Sequence, residues 1–289
     1  MTMLAAIQMT VQLLKLRIGI FIAASALAGM AVTAGPALSP LQAAALAIAV
    51  LGASGAAGAF NHYYDRDIDS LMQRTNARPF ASGAFRPSAW WPVGFAVLLS
   101  ASLALAAAAG GSMAALFVFL GAFTYGVVYT VWLKRRSAWN IVIGGLAGSF
   151  AVLAGAAAVD PAPQVVPMVL AVVLFLWTPP HFWSLAAAKG EDYARANVPM
   201  LPIIVPAHAW TLAILTHTAA LVVLSLVPLW YGKGWIYGLG AGVGGAFFLW
   251  KSVVLMREPS RKNAIGNFLA SLLQLTLLVL GAVLDGLIG

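Results

Sequence analysis

Long runs of apolar positions, broken by short polar gaps, fill almost the whole chain. The runs fall at roughly 17–35, 41–62, 88–108, 112–133, 139–159, 164–186, 205–230, 235–255 and 266–287. Each is near the ~20 mostly apolar residues that a helix needs to cross a bilayer. The pattern predicts an all-α polytopic membrane protein, a bundle of about nine transmembrane helices joined by short connections. It leaves room for one domain over 1–289 and no separate soluble one.

Composition sharpens this picture. The chain is 62% hydrophobic and 8% charged, with a mean hydropathy of +0.93, where soluble domains carry about 25% charged residues. The lipid bilayer is therefore its solvent. The chain has no cysteine, which excludes disulfides, thiolate chemistry, zinc–thiolate sites and c-type haem attachment.

The net charge of +8 follows the gaps rather than a nucleic-acid-binding face. Lys15 and Arg17 precede the first run. Alternate gaps then hold Arg66, Arg74, Arg78 and Arg86; Lys134, Arg135 and Arg136; Lys189 and Arg195; and Lys251, Arg257, Arg261 and Lys262. These are 15 of the 16 basic residues, and the other gaps hold only Lys233. Positive charge marks the cytoplasmic side. The expected protein is thus a multi-pass one of the inner (plasma) membrane, N-terminus cytoplasmic and C-terminus outside. The first run resembles a secretory signal in its basic start and small residues near Thr33, but its length suits a retained span.

Chemistry concentrates in two cytoplasmic gaps. In the first, Asn61, Asp65 and Asp69 are spaced i, i+4, i+8, so a helix places them on one face, one turn apart. Oxygen ligands on one face suit Mg²⁺, which commonly bridges carboxylates to substrate phosphates. Arg74 and Arg78 add cations four residues apart, while Asp67 lies off register and is expected to be solvated or paired with Arg66. In the gap after the fourth run, Lys134 stands within reach of a diphosphate, and Tyr125 and Tyr129 share a face one turn apart. The second acidic gap follows Trp177-Thr-Pro-Pro-His181-Phe-Trp183. Two prolines inside an apolar span are expected to kink it, and an ionisable His181 in such a span points to a site. Asp192 returns to the face of His181 if the helix persists past Gly190. His208 and His217 read as core histidines, and His62 points off the acidic face.

At these residues the chain resembles the UbiA-type intramembrane prenyltransferases. The pattern from Asn61 through Asp65, Asp69, Met72, Arg74, Thr75 and Arg78 to Pro79 is similar to the family signature. Pro180-His181-Phe182, Asp192-Tyr193 and Pro199-Met-Leu-Pro202 resemble the branch that farnesylates protohaem IX. Tyr129-Thr-x-x-Leu-Lys134-Arg135 and Asn140-Ile-Val-Ile-Gly-Gly fit that branch as well. Three places depart from it: Ser149-Phe-Ala-Val replaces paired prolines, Glu191 replaces an aspartate, and Asn197 replaces a glycine.

The resemblance implies a helical bundle with a central cavity facing the cytoplasm and the lipid. It implies Mg²⁺ held by Asn61, Asp65, Asp69 and Asp192, which would also be the catalytic set. Farnesyl diphosphate is the implied donor, met by Arg74, Arg78, Lys134, Arg135 and Tyr129. Haem b is the implied acceptor, contacted by His181 and Trp177, and haem A synthase or terminal-oxidase assembly factors are implied partners. An acceptor such as a quinone precursor or chlorophyllide fits the first motif equally well. A non-catalytic carrier is a further alternative, although carriers place ionisable groups near the bilayer midplane rather than at cytoplasmic helix ends.

Overall fold

A computed structural model describes residues 3–288, and these are helical with no strand among them. In chain order the helices are α1 (Met3–Leu13), α2 (Leu16–Val32), α3 (Pro40–Tyr64), α4 (Arg66–Ser70) and α5 (Trp90–Phe123). After α5 the helix continues in π register over Thr124–Leu133. Then come α6 (Asn140–Gly144), α7 (Leu146–Val159), α8 (Val165–Ala188), α9 (Gly190–Arg195) and α10 (Leu201–Ile204). The last three are α11 (Ala207–Leu226), with a 3₁₀ turn over Val227–Tyr231, α12 (Trp235–Arg257) and α13 (Arg261–Ile288).

Seven of the described helical stretches are long and apolar enough to cross a bilayer, and the pair α1–α2, bent by 53°, makes an eighth. The bend sits at Lys15, which adopts a left-handed conformation with φ 50°. The stretch Trp90–Leu133 has 44 residues, about 66 Å of helix and twice the ~30 Å hydrocarbon thickness. Its backbone leaves helical geometry at Gly111, with φ 83° and ψ 175°. Only glycine takes that conformation at no cost.

Contacts between α2 and α3, α3 and α5, α5 and α7, α7 and α8, α8 and α11, α11 and α12, α12 and α13, and α13 and α2 close the helices into a ring. Small residues permit this closure, since little hydrophobic force draws helices together in lipid and packing must do so instead. At the α2–α7 crossing a Cβ on Gly29 would lie 2.1 Å from the Val152 carbonyl oxygen, and one on Gly155 would lie 1.8 Å from that of Ala26. The outward faces carry exposed Ile, Leu, Val and Phe, and exposed Trp90, Trp139, Trp230 and Trp235 stand at helix ends or in the adjoining turns, where indole anchors a protein at the membrane interface. Two prolines do not interrupt α8, which runs unbroken through Pro179 and Pro180. It does stop at Ala188, so Asp192 belongs to the separate short helix α9 and not to a continued face of α8.

Candidate active site

The acidic stretch emerges where α3 ends. Asp65 lies at the junction of α3 and α4, yet the i+4 bonds continue through it: Asp65 N–H reaches the Asn61 carbonyl at 2.9 Å and Asp69 N–H reaches that of Asp65 at 2.8 Å. The spacing thus delivers Asn61, Asp65 and Asp69 as one row, all buried.

Each member is held by a cation or amide from elsewhere. Lys134 and Arg135, just beyond the π segment, pair with Asp65, the arginine at 3.3 Å. Arg78 pairs with Asp69 at 2.7 Å, and Asn61 Nδ2 donates to Asp65 at 2.7 Å and to Thr130 Oγ1 at 3.1 Å. Asp67 pairs with Arg135 at 2.7 Å rather than with Arg66, whose guanidinium donates to the Tyr63 carbonyl instead. The hydrogen bond from Arg135 holds the Asp67 carboxyl below its ordinary pKa, and the same bond raises that of Arg135. Asp67 is largely solvated, so this pair contributes little to stability.

The remaining signature residues support this row. Thr75 Oγ1 donates to the Asp69 carbonyl at 2.9 Å, and buried Met72 packs into an apolar cluster with Trp183, Tyr193 and Met200. Past Pro79 the loop is pinned by aromatic rings: Phe80 meets Trp91 edge-on at 5.2 Å and Phe85 stacks on it at 5.0 Å. Arg78 is therefore carried on a loop anchored to α5.

The second loop meets the first through Asp192. Its carboxylate accepts from the backbone N–H groups of Gln73 (3.0 Å) and Arg74 (3.2 Å), and from Arg195. Burial works against its charge, but these bonds together hold its pKa below the ordinary carboxylate value. Arg74 extends to the Tyr193 hydroxyl at 3.4 Å. Asn140 joins both sides, donating to the carbonyls of Lys134 and Pro199. Asn197 has φ 51°, and asparagine is among the few non-glycine residues that tolerate that region.

The residue that sequence reasoning missed is Lys15. Its Nζ donates to Asn61 Oδ1 at 2.6 Å and to the Tyr125 hydroxyl at 2.7 Å, although its position suggested only a topology charge. Tyr125 and Tyr129 do stack, at 5.6 Å with an 11° tilt, but within a π segment whose Thr130 Oγ1 bonds the Tyr125 carbonyl five residues back. Mid-helix π register is frequent at functional sites.

Below this polar layer lies a cavity of about 230 Å³, lined almost wholly by apolar residues of α2, α3, α5, α7, α8 and α13. Lys15 and Tyr125 line it where it meets the acidic row, and His181 and Trp177 line another wall. The His181 ring lies between Trp177 (4.2 Å) and Phe268 (4.5 Å). Its Nδ1 meets Ser271 Oγ at 2.7 Å, and that hydroxyl already donates its one proton to the Phe268 carbonyl at 2.6 Å. Hydrogen-bond balance therefore puts the proton on Nδ1 and leaves the Nε2 lone pair available. Trp177 is fastened to the same turn, its indole N–H donating to the Ser271 carbonyl at 2.8 Å. His217 bonds the Ala213 carbonyl, as a core histidine does.

No three acidic, histidine or cysteine side chains are grouped to hold a metal among the described residues. The acidic row nonetheless suits a hard divalent ion. Its donors are all oxygen, and Asp69 Oδ1 is buried without any hydrogen-bond partner, an unpaired acceptor that costs free energy until something positive meets it.

A sequence model of the UbiA prenyltransferase family matches residues 22–275. Among named relatives, protoheme IX farnesyltransferase 2 of Paramagnetospirillum magneticum is 54% identical, with 99% of both chains covered. Protoheme IX farnesyltransferase 1 of the same organism is 50% identical over 95% of this chain and 97% of its own length. Among solved structures, a digeranylgeranylglyceryl phosphate synthase superposes with a TM-score of 0.79 at 16% identity, covering 98% of this chain and 99% of that one. A UbiA homologue from Archaeoglobus fulgidus bound to GPP and Mg²⁺ superposes with a TM-score of 0.67 at 16% identity, covering 95% and 99%.

Proposed function

The chain belongs to the UbiA prenyltransferase family, and from that premise we propose that it transfers the farnesyl group of farnesyl diphosphate to a vinyl group of protohaem IX, giving haem O and diphosphate. The observation that carries this reading is the junction of two environments. A buried row of oxygen ligands ringed by cations sits directly on a deep apolar cavity. The named relatives supply the acceptor.

The charge balance favours an anion. Asp65, Asp67 and Asp69 face Lys15, Arg74, Arg78, Lys134 and Arg135, so cations outnumber carboxylates before any substrate arrives. Asn61, Asp65 and Asp69 would hold Mg²⁺, with Asp192 joining from the second loop once Arg195 lets go of it. A bound Mg²⁺ supplies Lewis-acid stabilisation of the charge that builds on a departing diphosphate. As the diphosphate enters, Lys134, Arg78 and Arg135 turn from carboxylates to its oxygens, while Arg74 and the Tyr129 hydroxyl extend the same cradle. These charge-assisted bonds strengthen as the farnesyl C–O bond breaks. The apolar walls keep water from the farnesyl cation while it lasts.

The vinyl terminal carbon forms the new C–C bond to farnesyl. Water then adds to the carbon beside the ring and releases a proton, which leaves a hydroxyethylfarnesyl side chain. Trp177 offers a flat face for the macrocycle, and the Nε2 lone pair of His181 orients it, as a ligand to the haem iron. Taking Gly111 as a turn between two spans gives nine in all. With basic loops inside, the acidic row then faces the cytoplasm of a plasma-membrane protein, where diphosphate departs into water.

The test is product analysis. Purified protein in lipid nanodiscs is incubated with farnesyl diphosphate, haem b and Mg²⁺, and the extracted haem is identified by mass. Haem O is the expected product. Diphosphate release with unmodified haem would move the acceptor elsewhere, and no release with any acceptor would sink the transferase reading.

A further inference from the structure

His181 sits on a turn of α8 that is short of backbone bonds. Pro179 and Pro180 have no N–H, so the carbonyls of Phe175 and Leu176 lose their helical donors, yet the helix continues. Three bonds with α13 follow at successive turns. The Trp177 indole N–H donates to the Ser271 carbonyl, His181 Nδ1 meets Ser271 Oγ, and Ser184 Oγ accepts from Asn267 Nδ2 at 2.9 Å. The last of these belongs to a longer seam. Thr218 of α11, Ser252 of α12, Asn267 of α13 and Ser184 of α8 are each 0% exposed and bonded in sequence.

The order of protons in the seam follows from its donors. Asn267 Oδ1 can only accept, so the single Ser252 proton goes to it at 3.0 Å. The Ser252–Thr218 contact at 3.1 Å is then made by the Thr218 hydroxyl. At the other end Ser184 Oγ donates to the Pro180 carbonyl at 2.6 Å. The bonds thus run one way, from α11 through α12 and α13 to the residue before His181. Hydrogen bonds between helices add little stability in lipid, so the geometry they fix is what remains to explain them. We propose that Asn267 is a positioning residue for His181. It fastens the Pro180–Ser184 turn to α13, so that the imidazole Nε2 keeps one direction, and Ser252 and Thr218 orient its amide. Hydrogen bonds behind an imidazole ligand commonly fix its ring in this way. The inference rests on the reading of His181 as a ligand to haem iron.

The test is haem binding to nanodisc-embedded protein without donor, read by Soret titration and by electron paramagnetic resonance of the ferric haem. Asn267→Leu keeps the bulk of the side chain and removes its bonds. It should weaken haem binding about tenfold and broaden the ferric signal, while binding of farnesyl S-thiolodiphosphate with Mg²⁺ stays unchanged. Thr218→Val removes one hydroxyl at nearly constant shape and should move both haem readouts the same way by a smaller step. Thr218→Ser keeps the hydroxyl and should move neither. The Thr218 pair carries the test if Asn267→Leu fails to insert. A lower melting temperature in Asn267→Leu and Thr218→Val, with haem affinity and ferric spectrum unaltered, would overturn the positioning role. A ferric spectrum that His181→Ala leaves intact would instead overturn the iron-ligand reading beneath it.

Discussion

The loops after α3 and α8 each present a buried aspartate system, yet they are held in different ways. After α3, Asp65 and Asp69 are neutralised by side-chain cations borrowed from other elements, namely Lys134, Arg135 and Arg78. After α8, Asp192 binds backbone N–H groups of Gln73 and Arg74 as well as Arg195. Side-chain partners swing away when a phosphate offers them a better anion, whereas backbone amides move only with their loop. The first loop is thus built for exchange, and in the second the backbone bonds fasten Asp192 while only its Arg195 contact is free to exchange. Acidity in a gap between spans does not by itself say which role it plays.

Removing exchange should have the largest effect. Asp65→Ala or Asp69→Ala should lower haem O formation by on the order of 10³-fold while the protein remains membrane-inserted. Wild-type product per inserted protein in either variant would end the metal-site reading. Asp65→Ala should also lower thermal stability, because removing one partner of a buried pair costs about 3–5 kcal/mol.

Lys15 extends the exchange side to a third element. Lys15→Met keeps the apolar stem but removes the contacts to Asn61 and Tyr125. A loss of about 10²-fold in kcat, read in single turnovers, would group it with the diphosphate cradle. A change in melting temperature alone would make it a packing residue.

On the acceptor wall, His181→Ala should raise the haem concentration for half-maximal rate about tenfold and leave that for farnesyl diphosphate unchanged. The reverse pattern, measured in matched titrations, would transfer His181 to the donor side.

Fastening should show smaller changes in rate and larger ones in loop order. Asp192→Asn weakens the bonds to the Gln73 and Arg74 amides and should cost about 1–3 kcal/mol locally, seen as faster proteolysis of the 189–200 segment. Activity should fall less than in Asp65→Ala. Equal losses would erase the distinction between the loops. The fastening is also acid-sensitive. The folded pKa of Asp192 is depressed, so its stabilisation is present above the unfolded value of about 3.9. It disappears as pH falls below that value through the folded pKa, and proteolysis of the same segment should accelerate only there.

The row of Asn61, Asp65 and Asp69 was legible because a four-residue step is a local property of helices and survives the α3–α4 junction. The shared face of Tyr125 and Tyr129 was legible for the same reason. Lys15 was not, since a left-handed bend and a partner 46 residues away leave no periodic trace. Asp67 is largely solvated as its register suggests, but its ion-pair partner was misjudged, because Arg66 is adjacent in sequence while Arg135 arrives from just beyond the π segment. Asn197 became intelligible only from its positive φ, which asparagine supports in place of glycine.

By itself, then, the sequence determined that most of the chain forms apolar helices long enough to cross a membrane, that positive charge falls in alternate gaps between the apolar runs, and the register of the acidic row. Apolar length, charge asymmetry and the helical repeat act over a few residues and need no fold to express them. The tertiary structure alone decided which cation neutralises which acid and where His181 keeps its proton. Those depend on how closely helices distant in the chain approach, and at the α2–α7 crossing that distance is set by the absence of two Cβ atoms.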